Sequence, residues 1–325
     1  MKNYSRCWRW SPCPLWLSLF LPSIPMTPSL PTGAPARRSK KAFEAECGCE
    51  LKFVALEDGV SLLNRLRMEG KTARPTLCLA LITTCWKAAA QSKLFASNVP
   101  ASAVSVPGGW DNDTFVPYDY GYFAFVYDKN KLANPPKSLK ELVEGPQKWR
   151  VIYEDPRTST PGLGLLLWMQ KVYGDQAPEA SAEAGRENRY RHQRLERSLW
   201  PVPERGKRLV LSYTTSPAYH MIEEKKDNYA AASFAEGHYL QVEVAARTAA
   251  SKQPELAEKF LKFMVSPRLP ERHPYRQLDV SGDPVTLPAG FDTPGEAADH
   301  PVLYPAAGRQ RASNWISAWQ RAVSR

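Results

Sequence analysis

The chain has 325 residues, 43% hydrophobic and 23% charged, enough to fill one large domain or two lobes of an ordinary globular protein. Its formal net charge of +10 admits a nucleic-acid partner, but many of the basic residues lie in the irregular stretches Arg186 to Arg208 and Arg268 to Arg276 and are not gathered on one face, so nucleic acid is set aside. Six cysteines are too few for a disulfide scaffold of this size, and no window is long and apolar enough to span a membrane.

Residues 1–41 begin like an export signal and then depart from one. Lys2, Arg6 and Arg9 give a basic start and Leu15 to Leu21 a brief apolar run, but Pro12, Pro14, Pro22, Pro25, Pro28 and Pro31 break any helix. By composition this is a disordered leader. From Lys41 the texture changes to an amphipathic helix, a strand Glu50 to Leu56, a turn at Glu57-Asp58-Gly59 and a helix Val60 to Glu69. That alternation is the mark of a doubly wound α/β protein. Cys47 and Cys49 form the tight C-x-C pair at its start. The spacing is weak evidence for a metal and leaves open a disulfide formed in an oxidising compartment or two free thiols. Thr76 to Trp86 sits where the next strand belongs, yet Cys78, Cys85 and Trp86 make it an unconvincing one.

The stretch from Val106 to Gly174 organises the rest. Gly108 and Gly109 open a turn, and Phe115 to Tyr127 carries aromatics and Val at the density of a long strand that ties two halves together. Val151 to Tyr153 is a short strand stopped by Asp155 and Pro156. The loop from Arg157 to Gly162 follows, and it opens a helix Leu163 to Tyr173. Hydroxyls and free N–H groups at that helix start can cradle an anion or form an ordinary N-cap. Pro178 to Lys207 is Arg-rich and aperiodic. A strand resumes at Leu209 and runs into a second hydroxyl-rich turn, Tyr213-Thr214-Thr215-Ser216-Pro217, and a helix. His238 to Ala245 reads as a strand, Pro254 to Met264 as an amphipathic helix and Ser313 to Val323 as the last helix. Ligands of open α/β sheets bind at the carboxyl ends of strands, so these two polar junctions and Asp58-Gly59 point to one cleft.

The blocks EDGVSLLNRLRMEGK, VPGGWDNDTFVPYDYGYFAFVYDKNKL, YEDPRTSTPGLGLLLWMQKVYGD, LVLSYTTSPAYH, EEKKDNYAAASFAEGHYLQVEVAARTA and WISAWQRAVSR resemble the periplasmic thiamine-binding proteins of bacterial ABC importers. The match runs in long blocks rather than a short motif. It implies a two-lobed α/β type II periplasmic-binding-protein fold with a hinge and a ligand cleft between the lobes. On this resemblance 42–118 and 238–325 form one discontinuous lobe and 119–237 the other, with 1–41 in the signal-peptide position. It further implies capture of thiamine or its mono- and diphosphate in the periplasm, delivery to an inner-membrane ABC permease, no cofactor and no enzymatic step. By position, Asp58, Gly59, Ser159, Thr160, Tyr213, Thr214, Thr215 and Ser216 fall on the family's ligand-contacting turns, with Tyr219 close by. Aromatic rings suit the aminopyrimidine and the thiazolium cation, and hydroxyls with helix N-termini suit a phosphate.

The chain also departs from the family. Its export signal, its first strand with an aromatic-rich turn, and the tryptophans expected before Leu209 and after Pro267 are not readable at their places. We read these departures as segments in a shifted frame: with suitable codons PSIPMTP from Pro22 becomes VYTYDS, and the stretches from Cys7, Pro75, Pro178 and Arg268 regain LLALVPVPAV, DVVLGLDNNLL, TVTVTKGWSEAYGLFLKGE and FQNAIPTGNWMY. A chain whose altered segments abolish binding is therefore an alternative. Another is an enzyme of thiamine metabolism on the same fold, which needs a nucleophilic Cys or His in the cleft. His220 with Glu223 and Glu224 mimics a metal site but reads as a solvated helix face, and Ser216 lacks a nucleophile elbow. The alternation Tyr118, Tyr120, Tyr122 and the pair Trp315, Trp319 read as packing.

Overall fold

The structure, a computed structural model, describes residues 16–22, 34–56, 59–70, 77–82, 86–97, 104–145, 149–157, 159–186, 208–266, 279–280, 301–302 and 312–323. Strands β1 (Trp16–Pro22), β2 (Glu50–Leu56) and β3 (Leu77–Ile82) alternate with helices α1 (Ala34–Cys47) and α2 (Gly59–Glu69). β1 lies between β2 and β3 and runs parallel to both. Part of the stretch expected as a disordered leader is thus an interior strand, and α1 begins seven residues ahead of Lys41. The apolar run WLSLFLP suits that place, because interior parallel strands are apolar on both faces and a proline is tolerated at a strand end. β3 likewise forms across LCLALI despite Cys78, whose thiol is fully buried.

The next elements are α3 (Trp86–Gln91), β4 (Val104–Ser105) and the 13-residue β5 (Val116–Asp128). α4 (Leu139–Glu144), β6 (Arg150–Ile152), α5 (Thr160–Tyr173) and α6 (Ala177–Arg186) follow, then β7 (Arg208–Tyr213), α7 (Ser216–Glu224) and β8 (Tyr229–Ala231). β9 (His238–Arg247), α8 (Pro254–Met264), β10 (Asp279–Val280), β11 (Pro301–Val302) and α9 (Ala312–Val323) complete the chain. α6 occupies the start of the stretch read as aperiodic; its other residues, 187–207, lie outside the described residues.

The strand order is β2-β1-β3-β9-β5-β7-β6. β5 and β9 are the two long antiparallel strands at its centre, paired from Val116↔Ala245 to Tyr122↔Leu240. From Phe123 onward β5 takes β7 as its partner, and β9 pairs with β3 at its other end. These two strands therefore belong to both halves of the sheet, the geometry expected of a hinge, where a few residues at element junctions absorb the motion.

Helices cover the first half on both faces. Phe43 of α1 meets Phe260 of α8 edge to face, with centroids 4.8 Å apart, and Phe263 at 5.3 Å. These rings pack with Leu51, Leu77, Val116 and Ala245 in one cluster. Leu62, Leu63 and Leu66 of α2 belong instead to the larger cluster that runs through α5 and Trp168. Burying each such side chain contributes about 1.5–3 kcal/mol. α5 is buried continuously from Thr160 to Gln170, so it is the central helix of the second half. A register shift in β5 between Pro117 and Asp119 accompanies a split of the tyrosine alternation. Tyr118 packs in the α1/α8 cluster, while Tyr120 and Tyr122, edge to face with each other, pack in the larger cluster. Trp319 is buried at 2% exposure and Trp315 packs against the same cluster, so both serve packing as expected.

Cys47 and Cys49 form a disulfide at the end of α1. Of the two readings left open, the oxidised one is adopted. Among the described residues, no helix is long and apolar enough to cross a membrane.

Candidate functional site

The carboxyl end of β6 leads into α5 through Tyr153, Glu154 and Asp155. Asp155 folds the loop after the strand back on itself: its carboxylate accepts from the Arg157 backbone N–H and side-chain Nε, both at 2.9 Å. Ser159 is the N-cap of α5: its backbone is extended, and its Oγ accepts from the Gly162 N–H at 3.3 Å. The same hydroxyl donates to the Glu154 carboxylate, so two buried polar groups satisfy each other at the helix start. Thr160 is fully buried in the first turn. The helix begins three residues ahead of the expected Leu163, which brings Thr160, Pro161 and Gly162 inside it.

β6 and β7 are adjacent and parallel, with Val151 beside Leu209. Their carboxyl ends therefore lie side by side, and the second junction stands next to the first. There Ser216 opens α7, accepts from the Tyr213 N–H at 3.2 Å and shares a 2.7 Å hydrogen bond with Ser212. Thr214 donates its N–H to the Tyr122 carbonyl of β5 at 2.9 Å. Thr215 stands at the cap position without a side-chain capping bond. Tyr219 lies one turn into α7.

Tyr213 is the buried aromatic of this junction, 4% exposed. Its ring stacks on Phe123, and its phenol donates to Gln241 Oε1 of β9 at 3.0 Å. Burial first, and then the Glu243, Glu154 and Asp119 carboxylates, hold this phenol well above the ordinary tyrosine range against the lowering effect of the Gln241 bond. Three carboxylates thus act on this phenol besides its burial.

The structure brings Ser159, Thr160, Tyr213, Thr214, Thr215 and Ser216 to two neighbouring strand ends. Gly59, buried at the start of α2, follows β2 at the far end of the strand order. Asp58 lies outside the described residues. Sequence reasoning missed Glu154, Asp119, Gln241 and Glu243. The signal for the last pair was present in LQVEVAA, where two polar residues two apart interrupt an otherwise apolar strand. Phe123 was hidden among many aromatics of β5.

His220 is not the solvated residue expected. It is 2% exposed, its Nδ1 lies 3.0 Å from the Glu224 carboxylate, and its ring packs on Tyr229 at 4.6 Å. Among the described residues, no group of three or more His, Cys, Asp or Glu is placed to hold a metal ion.

Comparison with known proteins places this architecture. The profile of the bacterial extracellular solute-binding protein family matches residues 51–292. A thiamine-binding periplasmic protein of Salmonella typhimurium is 62% identical over 292 residues, covering 90% of this chain and 89% of its relative. Its counterpart in Escherichia coli is 63% identical, covering 88% of each. The solved structure of a periplasmic thiamin binding protein superposes with a TM-score of 0.85 at 56% identity, over 97% of this chain and 98% of that one. Iron-bound HitA from Pseudomonas aeruginosa shares the fold, with a TM-score of 0.74 at 19% identity. The chain belongs to the bacterial extracellular solute-binding protein family, with the two-lobed type II periplasmic-binding fold.

Proposed function

We propose that this chain is the periplasmic substrate-binding component of an ABC importer, taking up thiamine or its phosphates and delivering them to an inner-membrane permease. The observation that carries the reading is the pair of neighbouring junctions. Hydroxyls and a helix N-terminus stand at the end of β6, and a buried tyrosine acted on by three carboxylates stands at the end of β7. A ligand with a cationic aromatic ring and an anionic tail matches that division. The relatives named thiamine-binding periplasmic proteins support it over most of the chain.

In this reading 42–118 with 238–325 form one lobe, to which β1 and the start of α1 are added, and 119–237 form the other; closure about β5 and β9 brings Gly59 opposite Ser159 and Tyr213. Thiamine is cargo, and no resident cofactor is required. The chain is then a transport component rather than an enzyme, in keeping with relatives named for thiamine binding in the periplasm. Among the described residues, Cys47 and Cys49 are joined to each other, and the Cys78 thiol is buried and pushed up by that burial, with a further push from Glu69.

Isothermal titration of the purified chain with thiamine, thiamine monophosphate and thiamine diphosphate tests the proposal. Binding at about 1 μM or tighter to at least one of them is expected. No heat signal for any of the three at about millimolar concentration, from a chain that melts cooperatively, overturns it.

A further inference from the structure

Beneath Tyr213, four side chains from three strands are hydrogen-bonded in series. The Tyr118 phenol of β5 donates to Glu243 Oε2 at 2.9 Å. The Gln241 amide donates to Glu243 Oε1 at 3.4 Å, and Gln241 Oε1 accepts the Tyr213 phenol. Tyr118, Gln241, Glu243 and Tyr213 are all buried, and the series crosses the region where β5 exchanges β9 for β7. We infer that Glu243, acting through Gln241, is a positioning residue that sets the preference of the Tyr213 subsite for a cationic ring over a neutral one.

Glu243 accepts from a phenol and an amide, one at each carboxylate oxygen. Those bonds fix which way the Gln241 amide faces, with its NH2 toward the carboxylate and its carbonyl toward Tyr213. Bonds in such a series polarise one another, so the phenol donates to a strengthened acceptor and its ring gains electron density. An electron-rich face attracts a cation more strongly and leaves a neutral ring nearly unaffected.

Gly121 stands opposite Gln241 in the ladder, and a Cβ there would already touch Tyr213 Cδ1 at 3.6 Å. That is an ordinary van der Waals distance, so Gly121 lies directly beside the ring. Stability alone gives little reason for such a series. Replacing buried charged groups with well-packed apolar ones is often neutral or stabilising.

The inference rests on the thiamine reading, and its test separates the two. Wild type, Glu243→Gln, Tyr213→Phe and the double variant are titrated with thiamine and with 3-deazathiamine, whose ring is a neutral thiophene in place of the thiazolium. Thermal melts accompany the titrations. Glu243→Gln keeps the shape and removes the charge, and is expected to lower the ratio of the two affinities by about tenfold in favour of the neutral ligand. Tyr213→Phe, which breaks the same series while keeping the stacked ring, is expected to do likewise even if Glu243→Gln folds poorly. In its background Glu243→Gln should change the ratio no further. Equal losses for both ligands, or an unchanged ratio, overturn the inference while leaving thiamine binding intact. A folded wild type that does not bind thiamine overturns the thiamine reading and this inference together.

Discussion

Phe123 lies against Tyr213, the rings stacked with centroids 5.1 Å apart and planes 28° from parallel, at the residue where β5 leaves β9 for β7. Tyr239 of β9 stacks on the same Phe123 at 6.3 Å. Three rings on three strands thus fill the crossing of the sheet, and a change at Phe123 is transmitted to the candidate ligand contact.

Gly164 of α5 is where that stack meets the central helix. A Cβ at this position would overlap the Phe123 ring, which is fully buried and has no free direction to yield. Gly164→Ala is expected to lower stability by about 1–3 kcal/mol, read as a shift of the urea midpoint at unchanged slope. Thiamine affinity should fall with it, because Tyr213 moves with Phe123. Gly162→Ala should be worse, since its methyl would meet the backbone of Glu154 and Asp155 rather than a side chain.

Ser159 caps α5 and donates to Glu154. Ser159→Ala is expected to cost about 1 kcal/mol of stability through the lost cap. If the start of α5 receives the phosphate, affinity for thiamine monophosphate should drop more than affinity for thiamine. Parallel titrations of the two ligands read that difference, and equal losses would place the phosphate elsewhere.

Stability should narrow at both ends of the pH range. His238 accepts from the Phe234 N–H at its Nε2 and lies 2.7 Å from the Phe123 carbonyl at its Nδ1, so the ring is neutral with its proton on Nδ1. Burial lowers its pKa from 6.5, against the Phe123 bond and Glu236. Below that value the unfolded chain binds a proton that the folded one refuses, so stability is present above pH 6.5 and is lost as pH falls. Cys78 acts in the opposite sense: its folded pKa is raised above 9.0, chiefly by burial. The unfolded thiol ionises first, so stability is present below pH 9.0 and is lost as pH rises. Urea titrations across pH 5–7 and pH 8–10 are expected to show both slopes. His238→Gln should flatten the first and Cys78→Ala the second.

Re-reading the coding DNA across residues 5–40, 74–88, 178–208 and 268–312 is expected to reveal single-base insertions or deletions that bracket those segments. A coding sequence that stands as written would sink the shifted-frame reading of the departures from the family.

Local patterns made much of the chain legible. β2 was bounded correctly by its apolar residues and the turn after them, and β5 was legible from thirteen residues dense in aromatics and valine. The two hydroxyl-rich turns were visible because Pro, Gly and Ser mark strand-to-helix junctions wherever they occur. The long blocks shared with the thiamine-binding family implied the fold from the sequence. None of these features needs a partner distant in sequence.

The tertiary structure decided what such partners make. β1 was unreadable among prolines because its pairing with β2 and β3 comes from elsewhere in the chain, and a parallel strand has no tight turn beside it to announce it. The neighbouring ends of β6 and β7 lie on strands separated by α5 and α6. Tyr118 and Glu243 are 125 residues apart, and Tyr213 and Gln241 are 28 apart. Composition and periodicity specify which face of a strand is buried, but the identity of the residue across the ladder is fixed only when the strands pair.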